Sequence, residues 1–313
     1  MTRQWIAICV GLALLAGCGV VTGLGAGQPA PAGSAPAATA IEFEQLAYPT
    51  DSPSTIPSEA TVRYSDLPAS NEGLLSLDIY PSGQPSSPVM IYVHGGGWQN
   101  GDKSFVFLKP AAFNDAGFVF VSINYRLYPE VTVPEQAADV ARAVAWVKDH
   151  IAEYGGDPGQ IWLMGHSAGA HLVALVGTDE SLLRAAGADL TDLRGVIALD
   201  TPAYDLPALL KAAPRPLSLK YAKLFGGSME TLQALSPSRH VEAGKGIPPF
   251  LIVYSNMSLF NGSLSESFAD LLRAAGVRVE VLPALDKNHA QVNREIGDPD
   301  SYVSRAVFSF VMP

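Results

Sequence analysis

Gly165-His166-Ser167-Ala168-Gly169 places a serine between two glycines. A short apolar run at 161–164 precedes the pentapeptide, and a run of small residues with helical spacing, 167–176, follows from its serine. That context suits a nucleophile. Glycines without Cβ let strand and helix approach closely, the serine can hold a strained backbone, and its hydroxyl stands out of the turn. An incidental serine in a Gly-rich turn is the other reading, and the flanking strand and helix signals weigh against it.

His94-Gly95-Gly96-Gly97-Trp98 supplies the second group. Three successive glycines expose backbone N–H groups that can point at a developing oxyanion. The N–H groups of Gly95, Gly96 and Ala168, the last just after the serine, are the expected donors. A general base must be a histidine, and the chain has six. His94 and His166 belong to the two motifs. His171 lies one turn into the helix after Ser167, His150 near the end of a surface helix, and His240 within 201–246. His289 sits in Asp286-Lys287-Asn288-His289, read as a loop after the last strand, and is the expected base. No histidines are paired with carboxylates at ligand spacing, so neither a metal nor a cofactor is expected.

These groups require a frame to hold them. Strand signals fall at 60–64, 74–80, 89–94, 118–123, 161–164, 193–199, 250–254 and 277–282. Helical spacing covers 134–154, with Val140, Val144 and Val147 on one face and a stop at Gly155-Gly156. It recurs at 167–176, at 264–275 before Gly276, and at 302–310. Repeated strand–helix–strand order predicts an α/β fold: a mostly parallel sheet with helices on both faces. Residues 201–246 hold five prolines and no strand signal, and read as a small helical cap. Its Leu209, Leu210, Tyr221, Leu224 and Phe225 either line an acyl pocket or pack as ordinary core.

The chain has 313 residues, 48% of them hydrophobic and 16% charged, enough to bury a sizeable core in one large domain, here 41–313. A net charge of −10 argues against nucleic acid and anionic lipid as partners. The only cysteines, Cys9 and Cys18, lie outside that domain, which excludes a disulfide or cysteine metal site within it. Residues 1–18 read as a signal peptide: Arg3 in the basic segment, an apolar stretch too short to span a bilayer, then Leu15-Ala16-Gly17-Cys18. Those four residues resemble the bacterial lipobox, which implies lipid on Cys18, anchoring to the cell envelope and, with Gly19 following in a cell with two membranes, the outer membrane. An ordinary secretory signal is the alternative. Residues 19–40, mostly Gly, Ala, Pro and Ser, read as a flexible tether.

Four stretches carry a family resemblance: HGGGW (94–98), NYRLYP (124–129), GGDPGQIWLMGHSAGAHL (155–172) and NHA (288–290). The chain resembles the esterase and arylformamidase-like branch of the α/β-hydrolases. The resemblance implies hydrolysis of carboxylic esters, or related amides, through an acyl-enzyme on Ser167 with His289 as base. It also implies a catalytic acid just after the strand at 250–254. Here that loop reads Ser255-Asn256-Met257-Ser258-Leu259-Phe260-Asn261, without Asp or Glu. Three explanations stand. Asp200, ending the preceding strand, is the acid, with Asp205 a weaker candidate; or Asn256 or a nearby serine orients the histidine; or the triad is incomplete. Asp200 could instead cap the following turn.

The resulting expectation is a serine esterase acting on a small-molecule ester, with Ser167, His289 and Asp200 as its triad. An arylformamidase-like amidase and a non-catalytic binding lipoprotein with a lapsed triad are the alternatives. Oligomeric state and natural substrate are left open.

Overall fold

A computed structural model describes residues 58–312; the expected signal segment with Cys18, the tether and residues 41–57 lie outside the described residues. The elements in chain order are β1 (Ala60–Arg63), β2 (Ser76–Tyr80), β3 (Ser87–Val93), α1 (Lys109–Asp115), β4 (Val119–Ile123) and α2 (Val133–His150). Then come β5 (Gly156–His166), α3 (Ala168–Val176), α4 (Glu180–Ala186), β6 (Leu193–Leu199), α5 (Leu206–Ala212), α6 (Arg215–Leu224) and α7 (Met229–Ala234). The chain closes with β7 (Phe250–Ser255), α8 (Asn261–Ala274), β8 (Val279–Ala284), α9 (His289–Arg294) and α10 (Tyr302–Val311).

The strands form one eight-stranded sheet in the order β1-β2-β4-β3-β5-β6-β7-β8. β1 and β2 are antiparallel to their neighbours, and every pairing from β4 onward is parallel. Burial explains the composition of the strands. The edge strand β1 alternates half-buried and exposed residues, whereas β4 and β7 are buried throughout. A strand covered on both faces has no solvent side, so its sequence reads as a continuous apolar run. Core residues of α2, α3 and α8, among them Val140, Val144, Leu172 and Phe268, pack on one face. Phe113 of α1 and Val307 and Phe310 of α10 cover the other. This is the expected α/β-hydrolase architecture.

Several expected boundaries move. β5 starts at Gly156 rather than 161, because Ser87 pairs with Gly156 before the register shifts. α8 starts at Asn261, three residues early, and β8 at Val279, two residues late. Residues 201–246 contain α5, α6 and α7 and no strand. Parallel strands bring their carboxyl ends to one edge of the sheet, where open α/β sheets place their sites. His94 follows β3 there, Ser167 follows β5, Asp200 follows β6, Ser255 ends β7, and His289 lies beyond β8.

Candidate active site

Ser167 stands between β5 and α3 with φ +56° and ψ −118°, a conformation L-residues rarely take. Its surroundings hold it there. The Ser167 N–H donates to Leu199 O at 2.9 Å, and Ser167 O accepts from His171 N at 3.1 Å. A Cβ on Gly165 would fall 2.3 Å from Gly169 O, and one on Gly169 would fall 2.2 Å from Val93 O. Both glycines of the pentapeptide are thus required by backbone approach.

His289 opens the short helix α9, with Asn288 as its cap. It therefore lies at a helix start and not in a loop as expected. The reason is local: the Asn288 side chain accepts from Gln291 N at 2.9 Å, and Gln291 Oε1 accepts from Asn288 N at 2.9 Å, a capping box. His289 Nδ1 donates to Asp200 Oδ2 at 2.7 Å. With Nδ1 carrying the proton, Nε2 is the nitrogen left to accept one. His166 Nε2 donates to His289 O at 2.9 Å, and the two rings lie 4.4 Å apart. Burial and the nearby His289 push the His166 pKa well down, so it holds that carbonyl as a neutral donor.

Asp200 is fully buried and has φ +61°. It caps no helix; it is an acceptor for four donors. Oδ1 takes Ser255 N and Asn261 Nδ2, each at 2.7 Å, and Oδ2 takes Ser255 Oγ at 2.6 Å beside His289 Nδ1. Burial alone would raise its pKa, but the bond and charge of His289 and the Ser255 donors outweigh it, and the carboxyl sits below its usual value. The loop that lacks an acid thus supplies donors to one. Asn256 is exposed. Asp205 caps α5 by accepting from Ala208 N at 2.9 Å, and Glu266 accepts from Tyr254 OH at 3.2 Å.

The HGGGW loop is bent by Gly96 at φ +130°, Gly97 at φ +61° and Trp98 at φ +64°. The NYRLYP residues hold it. Tyr125 OH donates to His94 O at 3.1 Å, and its ring stacks on His94 at 4.5 Å. Tyr128 N at 2.9 Å and Gln136 Nε2 at 2.7 Å both donate to Trp98 O. Arg126 makes a two-pronged bond to buried Asp139, 2.8 Å on each side. The Trp98 ring packs edge-on against Phe225 at 4.9 Å and Tyr221 at 6.1 Å, and its Nε1 donates to His171 Nδ1 at 3.2 Å. His171 thus joins the loop to Leu235 and is not among the residues that line the cavity with Ser167.

Ser167, His289, Gly96, Gly97, Tyr221 and Leu224 all line one cavity of about 460 Å³. Gly97 enters this lining though it was not among the expected oxyanion donors. Gly95 lies outside it, its carbonyl taken by His94 Nδ1 at 2.7 Å. As the first residue of α3, Ala168 has an N–H for which the helix offers no acceptor. Of the expected pocket residues, Tyr221 and Leu224 line the cavity, while Leu209 and Phe225 belong to the core and Leu210 packs against it.

A family model described as BD-FAE matches residues 77–260. Two curated relatives carry ester-hydrolase names. One is a probable isoprenylcysteine alpha-carbonyl methylesterase of Oryza sativa subsp. japonica, 29% identical over 74% of this chain and 58% of the relative. The other is the probable carboxylic ester hydrolase LipM of Mycobacterium tuberculosis, 34% identical over 60% of this chain and 45% of LipM. The chain spans about half the length of these relatives. Among solved structures, esterase B of Lactobacillus rhamnosis superposes with a TM-score of 0.66 at 23% identity, covering 82% of this chain and 88% of that one. That last likeness is one of fold.

Proposed function

The chain belongs to the BD-FAE family, and from that premise we propose that it is a serine hydrolase of carboxylic esters. The observation that carries the proposal is the 2.7 Å bond from His289 Nδ1 to Asp200, with His289 and Ser167 lining one cavity. Ser167 Oγ attacks the ester carbonyl while His289 Nε2 takes its proton. The tetrahedral intermediate collapses, the alkoxide leaves with the proton returned by His289, and an acyl group remains on Ser167. Water, deprotonated by the same nitrogen, then releases the acid. Asp200 fixes the imidazole tautomer and stabilises the imidazolium in each half-reaction.

We assign the oxyanion to the N–H groups of Gly96, Gly97 and Ala168. Within the glycine loop this moves the assignment from Gly95 to Gly97, because Gly97 lines the cavity and Gly95 does not; Ala168, also outside the lining, is kept for its helix-start N–H directly after Ser167. The ester-hydrolase names of the relatives favour esters over amides, and the coherent bonding of Asp200 and His289 speaks against a lapsed site.

The proposal extends to the envelope: Cys18 carries lipid and tethers the domain to a membrane outside the cytoplasm. Its support is the sequence Leu15-Ala16-Gly17-Cys18 at the end of an apolar run. Loss of radiolabelled palmitate incorporation in Cys18→Ala supports it; equal labelling of both proteins refutes it.

The catalytic reading is tested with short and medium 4-nitrophenyl esters and a fluorophosphonate probe. The expected result is turnover and labelling that both vanish in Ser167→Ala. A wild-type protein that hydrolyses none of the esters and takes no label overturns it.

A further inference from the structure

The cap contributes a wall to the cavity through one helix face. Leu217, Lys220, Tyr221 and Leu224 of α6 follow the i, i+3, i+4, i+7 spacing of a single helical stripe, and all four line the cavity. Tyr221 and Leu224 are buried, and Lys220 is exposed. Long cationic side chains of this kind lay an apolar stem along a wall and keep the charged head in water. Apart from the base His289, Lys220 is the single basic residue of the lining, and no Asp or Glu lines it among the described residues. Among the described residues, none of the ion pairs involves Lys220.

The charge around it has the same sign. Between Leu206 and Met229 the chain carries Lys211, Arg215, Lys220 and Lys223 and no acidic residue, in a protein whose net charge is −10. Over the whole cap, 201–246, six Lys and Arg stand against three acidic residues, Asp205, Glu230 and Glu242, on a protein that is acidic overall, and of these cations Lys220 is the one that lines the cavity.

Resting on the ester-hydrolase reading of this site, we propose that Lys220 recognises an anionic group of the substrate. The substrate class is a carboxylate-bearing ester: a half-ester of a dicarboxylic acid, or an ester of a hydroxy acid. An apolar spacer between carboxylate and scissile carbonyl lies on Leu217 and Leu224. The ammonium attracts the distal carboxylate and does not touch the reacting atoms, so its effect falls on binding.

The test compares 4-nitrophenyl half-esters of glutarate, adipate and suberate with their methyl-capped neutral counterparts, and butyryl esters of 4-hydroxybenzoate with those of its amide. The readout is the ratio of kcat/KM, anionic over neutral, at 20 mM and 500 mM salt. An exposed ion pair is worth about two- to fivefold. The expected result is a preference of that size for at least one anionic ester, carried by KM, and collapsing at high salt. It disappears in Lys220→Met, inverts in Lys220→Glu and persists in Lys220→Arg and Lys223→Met, with circular dichroism melts reporting that each variant is folded. No anionic preference in any pair, or a preference unchanged in Lys220→Met, overturns the inference and leaves the esterase reading standing. A protein that hydrolyses none of the esters overturns both.

Discussion

Ser255 gives both of its donors to Asp200: its N–H lies 2.7 Å from Oδ1 and its hydroxyl 2.6 Å from Oδ2. One residue thus ends β7 and braces the carboxylate that follows β6. The arrangement resolves an electrostatic difficulty. A carboxylate withdrawn from water loses its hydration, and only several charge-assisted hydrogen bonds restore it. Asp200 has four, and the fourth, from His289, is the one that the proposed mechanism uses.

Removing the charge and removing its support should differ in size. Asp200→Asn keeps the volume but cannot stabilise an imidazolium, and the equivalent change in a serine protease costs roughly 10⁴-fold in kcat. Ser255→Ala leaves the charge in place with one fewer donor. It should lower the unfolding free energy by about 1.5–3 kcal/mol, the worth of a bond to a charged group, and reduce kcat far less than Asp200→Asn does. Stopped ester turnover and urea melts on both variants check the ordering. An Asp200→Asn enzyme within tenfold of wild type would remove Asp200 from the mechanism.

The strand–turn–helix around Ser167, the glycine loop, the parallel sheet and the helices of 201–246 were legible because each follows from short-range rules: glycine spacing, apolar runs, proline density. The donors around Asp200 were not. Ser255 and Asn261 bound a stretch, 255–261, whose salient property on paper is a missing acid, and the meeting of that stretch with the end of β6 is made by the β6–β7 pairing. The loop's run of polar donors next to a strand end was the available signal. His289 read as a loop residue because a six-residue helix has too few positions to show a period. Gly97 was passed over because three glycines in a row give no indication of which N–H groups face the cavity.

Gly96 and Gly97 should respond unequally to alanine. At Gly96 a Cβ would fall 1.9 Å from Asn100 O at φ +130°, so the loop must move. At Gly97 a Cβ meets nothing within 4 Å and the cost is that of φ +61°, roughly 1 kcal/mol. Gly96→Ala should therefore lose about 10²–10³-fold in kcat, the value of one oxyanion donor, with Gly97→Ala retaining more activity. Fluorophosphonate labelling rates should fall in the same order. Equal activity in the two variants would refute the loop's assignment.

Lys109 is fully buried, and its ammonium donates to Asn293 O at 2.8 Å beneath the helix that carries His289. Tyr92 OH holds the Asn293 side chain at 2.8 Å. Burial pushes the lysine pKa well below its ordinary value, so its charge is expensive where it lies. Lys109→Met removes that cost together with the anchor. The expected outcome is an unchanged or higher Tm with kcat lowered by up to about 10²-fold, the effect of a misplacement near 1 Å. A lower Tm with unchanged kcat would make Lys109 a purely structural residue.

His171 sets an acid limit on stability. Its Nδ1 accepts from Trp98 Nε1 at 3.2 Å and its Nε2 donates to Leu235 O at 2.8 Å, so the folded protein requires the neutral ring. Burial, opposed in part by the Leu235 bond, lowers its pKa from 6.5 to about 4. The folded value lies below the unfolded one, so the stabilisation is complete above pH 6.5. It declines as pH falls from there toward 4, because the unfolded chain takes a proton that the folded one refuses. At about 1.4 kcal/mol per pH unit the loss is on the order of 3 kcal/mol. His171→Gln cannot take up that proton. Its deficit against wild type in urea melts should be largest at pH 7.5 and shrink steadily toward pH 4.5. Over that interval the folded ring stays neutral and keeps its bond from Trp98; the bond is lost, and the glycine loop and cap loosen, only as pH falls through about 4. A deficit that stays constant across this range would show that the folded protein accepts the charged ring, and with it that the Trp98 contact does not depend on the proton.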